Sequence, residues 1–156
     1  EVKAQTEFYK KYRNLFQYGT FRRIPNGWQV SDGKTTIAGI FHGLVHAAPG
    51  YEQLKVKGLE AEKVYRMYSL AQAIRVGQFG SLLKHVVPVN IDPNGLLLNL
   101  ADRNISLKNG VEDMTVSGAA LMSGVMLKPL FRGTGYHENQ RTQGDFASDI
   151  YVIEEV

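Results

Sequence analysis

The side chains in this 156-residue chain that could do chemistry are imidazoles and carboxylates, because there is no cysteine to serve as nucleophile, metal ligand or disulfide partner. That absence leaves the redox compartment open. His42 and His46 stand four apart in FHGLVH, a spacing that aligns two zinc ligands on a helix face when a glutamate between them supplies the base. The glutamate is missing, and the surrounding Ile37, Ile40, Phe41 and Val45 with two glycines read as strand. Both are therefore expected as partly exposed strand histidines rather than metal ligands. His85 and His137 have no ligand partner at suitable spacing, Glu138 beside His137 apart, and are assigned surface or hydrogen-bonding roles. No metal or cofactor site is expected.

Hydrolysis of a glycosidic bond with retention needs two facing carboxyl groups about 5–5.5 Å apart. Asp32, Asp92, Asp102, Asp113 and Asp145 sit in SDG, IDPNG, ADRN, VED and GDF, where an aspartate bonds nearby backbone amides and makes a turn. Asp149 in ASDIY is placed at the start of a strand, facing solvent. No catalytic residue is assigned among them. Ser117 and Ser123 lack the GxSxG elbow of a serine hydrolase. GVMLKPLFRGTG has neither phosphate-cradling glycine spacing. Aromatic faces are the remaining chemistry, since rings on a sheet surface can stack on sugars. Trp28 is the only tryptophan, and Tyr51, Tyr65, Tyr68, Tyr136 and Tyr151 are spread over several segments, a distribution more usual for core.

The elements that must position these residues follow from periodicity. From Val2 to Tyr18, Phe8, Tyr9, Tyr12, Leu15 and Phe16 recur at helical spacing, and Gly19 supplies a helix stop. Lys3, Lys10, Lys11 and Arg13 give this helix a solvated basic face. The other cations are scattered, so the net charge of +3 does not indicate nucleic-acid binding. After Gly19 short β-like stretches alternate with the turns PNG, SDG and HAAPG. Strands dominate from Thr20 to about Leu70. Leu54 and Val56 join Tyr51 on one face, while Tyr65, Met67 and Ser69 oppose Val64, Arg66 and Tyr68. FGSLLKHVV reads as a helical turn or two capped by Ser81, and IDPNG and KNG each predict a hairpin. MLKPLFRG and SDIYVIEEV supply late strands around a polar loop, GTGYHENQRTQGD. The prediction is mainly β: an antiparallel β-sandwich with Greek-key connections, preceded by one N-terminal amphipathic helix. No apolar run reaches the roughly 20 residues of a membrane span. EVKAQTEFYKK carries no signal peptide, and a start without Met reads as a cut through a longer protein.

Taken in order, FYKKYRNLFQYGTFRRI at 8–24, LKVKGLEAEKVYRM at 54–67, SGAALMSGVML at 117–127, GTGYHENQR at 133–141 and the closing GDFASDIYVIEEV resemble the C-terminal portion of family 36 glycoside hydrolases, the bacterial α-galactosidases. The segment between Leu70 and Val111 departs from the shorter form of this pattern. The resemblance implies a retaining, cofactor-free and often oligomeric enzyme whose two catalytic aspartates lie in a preceding (β/α)8 barrel. Residues 1–19 would be the helix that closes that barrel, and residues 20–156 the C-terminal β-sandwich, with Gly144 and Asp145 shaping a bend and Phe146 plugging the core. On this reading the chain has no catalytic residue and no cofactor. It stabilises the catalytic barrel of a cytoplasmic enzyme that cleaves terminal α-galactosides of the melibiose or raffinose type. Its partner is that barrel, with no nucleic acid and no membrane. A carbohydrate-binding module using surface aromatics such as Trp28 is the alternative.

Overall fold

A computed structural model describes residues 2–44, 46, 49–75, 106–108, 110–131, 137 and 139–156. The chain opens with α1 (Val2–Tyr18), which buries Tyr12 and Leu15. It stops where predicted. The Gly19 N–H donates to Leu15 O at 2.9 Å, and a Cβ there would lie 2.5 Å from that oxygen. Strands β1 (Thr20–Ile24), β2 (Gly27–Ser31) and β3 (Thr35–Phe41) follow as a meander. Both turns are made by the expected residues. Asn26 takes φ 55° and Gly33 φ 96°, and Asp32 Oδ1 accepts from the N–H groups of Lys34 and Thr35 at 3.0 and 2.8 Å.

Next come β4 (Gln53–Leu54), β5 (Val64–Ser69), β6 (Ala73–Arg75), β7 (Ser106–Lys108), β8 (Asp113–Ser117), α2 (Gly118–Ser123), β9 (Val125–Met126) and β10 (Ser148–Glu155). The main sheet is antiparallel with order β1-β2-β3-β10-β5-β8. Its last strand therefore inserts between β3 and β5, placing Val152 opposite Ile37 on one side and Tyr68 on the other. Because side chains alternate along a strand, β10 feeds two cores. Tyr151 and Ile153 join Ile40, Tyr65, Met67 and Leu121 beneath a small layer made of α2 and the β4–β9 pair. Val152 points the other way, with Val30 and Ile37, onto Tyr12 and Leu15 of α1. The architecture is mainly antiparallel β with one N-terminal helix, consistent with the predicted β-sandwich.

One element goes beyond the sequence reading, and several local expectations are corrected. GAALMS is helical: Ser117 Oγ accepts the Ala120 N–H at 3.3 Å, an N-cap that starts α2. The KNG hairpin does not form, since β7 pairs with β6 while β8 pairs with β5. Tyr51 is 67% exposed although Leu54 and Val56 are buried, because the pairing that forces alternation begins only at Gln53. Phe146 is 75% exposed and left-handed at φ 57°, so it does not plug the core. Among its described residues MLKPLFRG contributes only Met126, the end of β9, and an isolated bridge from Leu130 to Arg141. His85, Asp92, Asp102, Tyr136 and Glu138, the Ser81-capped turn and the IDPNG hairpin lie outside the described residues.

The tight approach at the start of α2 yields a test. A Cβ on Gly118 would fall 2.1 Å from Glu60 O and 3.0 Å from the Tyr65 ring, whereas one on Gly144 meets nothing within 4 Å. Gly118→Ala should destabilise the chain by about 1–3 kcal/mol and Gly144→Ala by less than about 0.5 kcal/mol. Urea unfolding midpoints check both.

Candidate functional site

The chemistry-bearing side chains converge where β3 ends and β10 begins. The chain leaves β3 at His42, whose N–H donates to Ala147 O at 2.9 Å. Asp149 lies opposite Ile40 in the register of β10, so the imidazole and the carboxylate are brought side by side. Glu52 arrives on the segment entering β4. Arg141 comes from the polar loop, pinned by its N–H to Pro129 O at 2.9 Å and by the Phe131 N–H to its own carbonyl at 2.8 Å.

Arg141 is the hub. Its side chain is 3% exposed. Nη2 donates to Glu52 Oε2 at 2.7 Å, Nη1 to Asp149 Oδ2 at 3.3 Å and to the Tyr151 hydroxyl at 3.4 Å, and Nε to Lys128 O at 2.9 Å. Nε also lies 3.8 Å from Glu112 Oε1, which accepts the Lys128 N–H at 2.6 Å. His42 bridges the same carboxylates, with Nδ1 3.2 Å from Glu52 Oε1 and Nε2 3.0 Å from Asp149 Oδ2. Gln143 Nε2 donates to Asp149 Oδ2 at 2.7 Å. An imidazole gripped by a carboxylate at each nitrogen satisfies both only when doubly protonated.

The charges follow from that geometry. The hydrogen bond to Asp149, then that to Glu52, raises His42 to about 9 against the opposing effect of burial. The His42 contact drives Glu52 down to about 2, with Arg141 assisting and burial opposing. For Asp149 burial pulls upward, but His42, Arg141 and Gln143 outweigh it and hold the carboxyl below its ordinary range. Two cations thus face three carboxylates. Neither Glu52 nor Asp149 can hold a proton near neutrality, and the imidazolium occupies the gap between them. Neither carboxyl is therefore in the protonated form that the acid of a retaining pair requires. Among the described residues no group of His, Cys, Asp or Glu is arranged to hold a metal.

The sequence-predicted residues fare unevenly. His42 is not a partly exposed strand histidine; its side chain is 8% exposed, just past the strand end. His46 is exposed and is not brought to His42's carboxylates. Asp149 does not face solvent, because Arg141 and His42 draw it inward. Asp113 is no turn former but begins β8, with its carboxylate bound in bidentate fashion by Arg66 at 2.9 and 2.8 Å. His137 is exposed and its Nδ1 accepts the Asn139 N–H at 3.1 Å. Ser123 ends α2. Asp145 stands exposed in a turn. Tyr65 and Tyr151 are fully buried. Trp28 packs its ring on Phe16 of α1, 6.3 Å between centroids, and over Gly39, where a Cβ would lie 2.7 Å from the indole. On α1, Lys10 pairs with Glu7 at 3.4 Å and Lys11 with Glu154 at 3.8 Å. Glu52, Glu112, Arg141 and Gln143 went unsingled in the sequence, since their partners are supplied by strands distant along the chain.

Above the cluster lies an open depression of about 370 Å³ whose wall includes Phe41, His42, Leu44, Tyr51, Glu52, Phe131 and Gln143.

Comparison with known proteins bears on what carries this architecture. The family model described as the glycosyl hydrolase family 36 C-terminal domain matches residues 26–153. Among solved structures, an α-galactosidase from Lactobacillus brevis shares 26% identity at a TM-score of 0.57, covering 99% of this chain and 16% of that one. A variant of the GH36 α-galactosidase of Geobacillus stearothermophilus in complex with raffinose shares 21% identity at a TM-score of 0.55, covering 99% and 15%. The galactosidase domain of an α-galactosidase-sucrose kinase shares 16% at a TM-score of 0.56, again covering 99% and 15%. Curated protein sequences give no significant match. The chain therefore spans about a sixth of the length of the solved enzymes it matches.

The cluster predicts a pH dependence. His42's pKa is higher folded than unfolded, so its stabilisation is complete below about pH 6.5 and is lost as pH climbs through about 9. Glu52 is shifted the opposite way, so its contribution is complete above about pH 4.5 and is lost as pH falls through about 2. Thermal melting should be highest near pH 5–6 and decline toward pH 9 by the equivalent of about 2 kcal/mol. His42→Gln should lower the melting temperature at pH 6 and flatten the slope between pH 6.5 and 9. Arg141→Met, which strands the carboxylates, should cost about 3–5 kcal/mol. Calorimetric melts across the pH range check all three.

Proposed function

The chain belongs to the family of glycosyl hydrolase family 36 C-terminal domains, and from that premise we propose that it is the non-catalytic C-terminal module of an α-galactosidase. The observation that carries the proposal is the pairing of coverages: nearly all of this chain, yet only 16% of the Lactobacillus brevis enzyme. The catalytic machinery then belongs to the remainder of such a protein, and no residue of this chain is assigned to catalysis, to a cofactor or to a metal. The carboxylates support this. A retaining pair requires one carboxyl protonated as the acid, and Glu52 and Asp149 are both held ionised by His42 and Arg141.

In this reading residues 1–19 close a catalytic barrel and residues 20–156 form the β-sandwich that packs against it. The module stabilises the barrel by covering apolar surface and contributes to subunit contacts in an oligomer. Val2, Tyr9 and Tyr18 on α1 and Phe21 beside it are exposed large side chains, as expected of a helix that also serves a neighbouring unit. The substrates of the whole enzyme are terminal α-galactosides of the melibiose and raffinose type, and its location is the cytoplasm. Among the described residues no helix is long and apolar enough to cross a membrane.

On nitrophenyl α-galactoside the 156-residue chain alone should give no turnover above buffer, while the full-length protein carrying it releases nitrophenol. Turnover by the chain alone comparable to that of the full-length protein would refute the module reading.

A further inference from the structure

We propose that the outer edge of β1 is a docking site for an extended, acidic segment of another protein, which adds to the main sheet as a further strand alongside Phe21 and Arg23. The site is separate from the module role and does not rest on it.

Hydrogen-bond parity shows which backbone groups the edge offers. The Phe41 N–H donates to Asn26 O at 2.8 Å and the Asp32 N–H to Thr35 O at 3.2 Å, so Trp28 and Val30, between those two residues at the same parity, turn their backbone groups to β3. Gly27, Gln29 and Ser31 therefore serve β1, through their register partners Ile24, Arg22 and Thr20. The N–H and C=O groups of Phe21 and Arg23 are left pointing outward. No described strand lies beyond them, and residues 20–23 are exposed along their length. Such a row of donors and acceptors is a template for an added strand. A phosphate or sulfate would use its donors alone.

The side chains around the edge select the partner's charge. Phe21, 62% exposed, stands opposite Val30 and Arg23 opposite Trp28, so both lie on the face of the sheet that packs on α1. Arg22 projects to the other face and lies over Gly58, where a Cβ would sit 2.7 Å from its Nη1. Lys57 is brought to the same place by Gln29, the register partner of Arg22, whose side chain accepts the Lys57 N–H at 2.8 Å and donates to its carbonyl at 2.7 Å. Among the described residues no carboxylate is in ion-pair reach of Arg22, Arg23 or Lys57. Asp32, next to Ser31 at the far end of the hairpin, is occupied by the N–H groups of Lys34 and Thr35. Cations without partners on both faces of an exposed edge call for carboxylates across the seam, and Phe21 for an apolar side chain beside it.

The same charges exclude a second copy as the occupant. Two β1 strands paired about Arg22 would set that guanidinium against its own copy, and like charges directly opposite each other destabilise a sheet. The chain has no described acidic strand to lend either. Glu154 and Glu155 lie in β10, inside the sheet, and Asp113 of β8 holds Arg66. Val2, Tyr9 and Tyr18 of α1 remain for the neighbouring unit of the module reading.

The test is titration of the isotopically labelled chain with a capped hexapeptide that alternates glutamate and valine. The same peptide with lysine in place of glutamate, and with proline in place of valine, serves as control, since proline cannot donate to a ladder. Saturable amide shifts centred on residues 20–24 are expected with the acidic peptide alone. At saturation the amide exchange of Phe21 and Arg23 should slow by about ten-fold or more, while that of Arg22 and Ile24, already bonded to β2, stays as it was. Affinity should fall by about ten-fold in Arg23→Glu, and by a similar factor when salt is raised from about 0.05 to about 0.5 M. Arg23→Glu should keep its melting temperature, since the side chain it replaces is exposed and makes no ion pair. Absence of saturation, equal binding of either control peptide, or binding that leaves the exchange of Phe21 and Arg23 unchanged would overturn the proposal. Slow exchange of those two amides without peptide would overturn it as well: in the full-length protein it would mean that the neighbouring unit already covers the edge, and in a dimer of this chain that a second copy does.

Discussion

The structure depends on the insertion of its final strand at the centre of the main sheet. Without β10 the β1–β3 meander and the β5–β8 pair share no ladder, because β3 and β5 both hydrogen-bond to β10 and not to each other. The sequence YVI at 151–153 meets the demand this makes. A strand buried on both faces has no polar side to spare, and Tyr151, Val152 and Ile153 are all fully buried. Tyr151 is the exception in chemistry, with a hydroxyl that must find a partner in the core, and Arg141 supplies it at 3.4 Å. The closure is also non-local. Both hydrophobic clusters wait for residues near the C-terminus, so the loop-closure cost is met before most of the apolar gain arrives.

The charged cluster is a consequence of that insertion. Three segments that leave or enter strands at one end of the sheet, around His42, Glu52 and Arg141, have no ladder to hold them, and Asp149 on β10 is the fixed point to which they attach. Arg141, Glu112 and Asp149 are buried and the His42 side chain nearly so, and taking such groups out of water costs several kcal/mol per ion before pairing. Hydrophobic side chains of similar volume could fill the same space without that cost. What they could not do is fix three loops in one relative arrangement, since dispersion contacts tolerate sliding and bidentate or bridged ion pairs do not. The cluster therefore contributes geometry more than net stability, and the shape of the depression above it is part of that geometry.

What was legible in the sequence divides along the same line between local and non-local. Helix α1, the Asn26 and Gly33 turns and the alternation of Tyr65 and Met67 were all readable, because their causes lie within a few residues. The ordered motifs carried the family. KNG predicts a hairpin that does not form, because turn chemistry states only that a turn is possible, and β8, the strand that would pair across it, is taken by β5. α2 was hidden because its N-cap, Ser117, is also the last residue of a strand. The sequence points His42 and Asp149 to the surface because charge predicts solvent unless a partner is known, and the further partners, Glu52 for His42 and Arg141 for Asp149, lie in segments with no periodicity to place them. Phe146 was placed in the core by residue type alone, and its backbone conformation overrides that.

The boundary between α1 and the sandwich also looks different in three dimensions. The family match begins at residue 26, beyond the helix, which would suit a division near Gly19. Yet the helix is anchored by more than adjacency. Tyr12 donates to Glu154 Oε1 at 2.9 Å and lies 3.2 Å from the Tyr68 hydroxyl, and burial raises the pKa of both phenols, so both remain protonated donors. Phe8, Phe16 and Trp28 pack around the same point, with Phe8 5.0 Å from Tyr12 between ring centroids. One face of α1 is thus committed to the sheet while Tyr9 and Tyr18 face away. The helix is thus packed and hydrogen-bonded to residues of β2, β3, β5 and β10 on one side while it carries exposed aromatics on the other. The division at Gly19 is a division of sequence, and in packing the helix shares one hydrophobic cluster with the sheet.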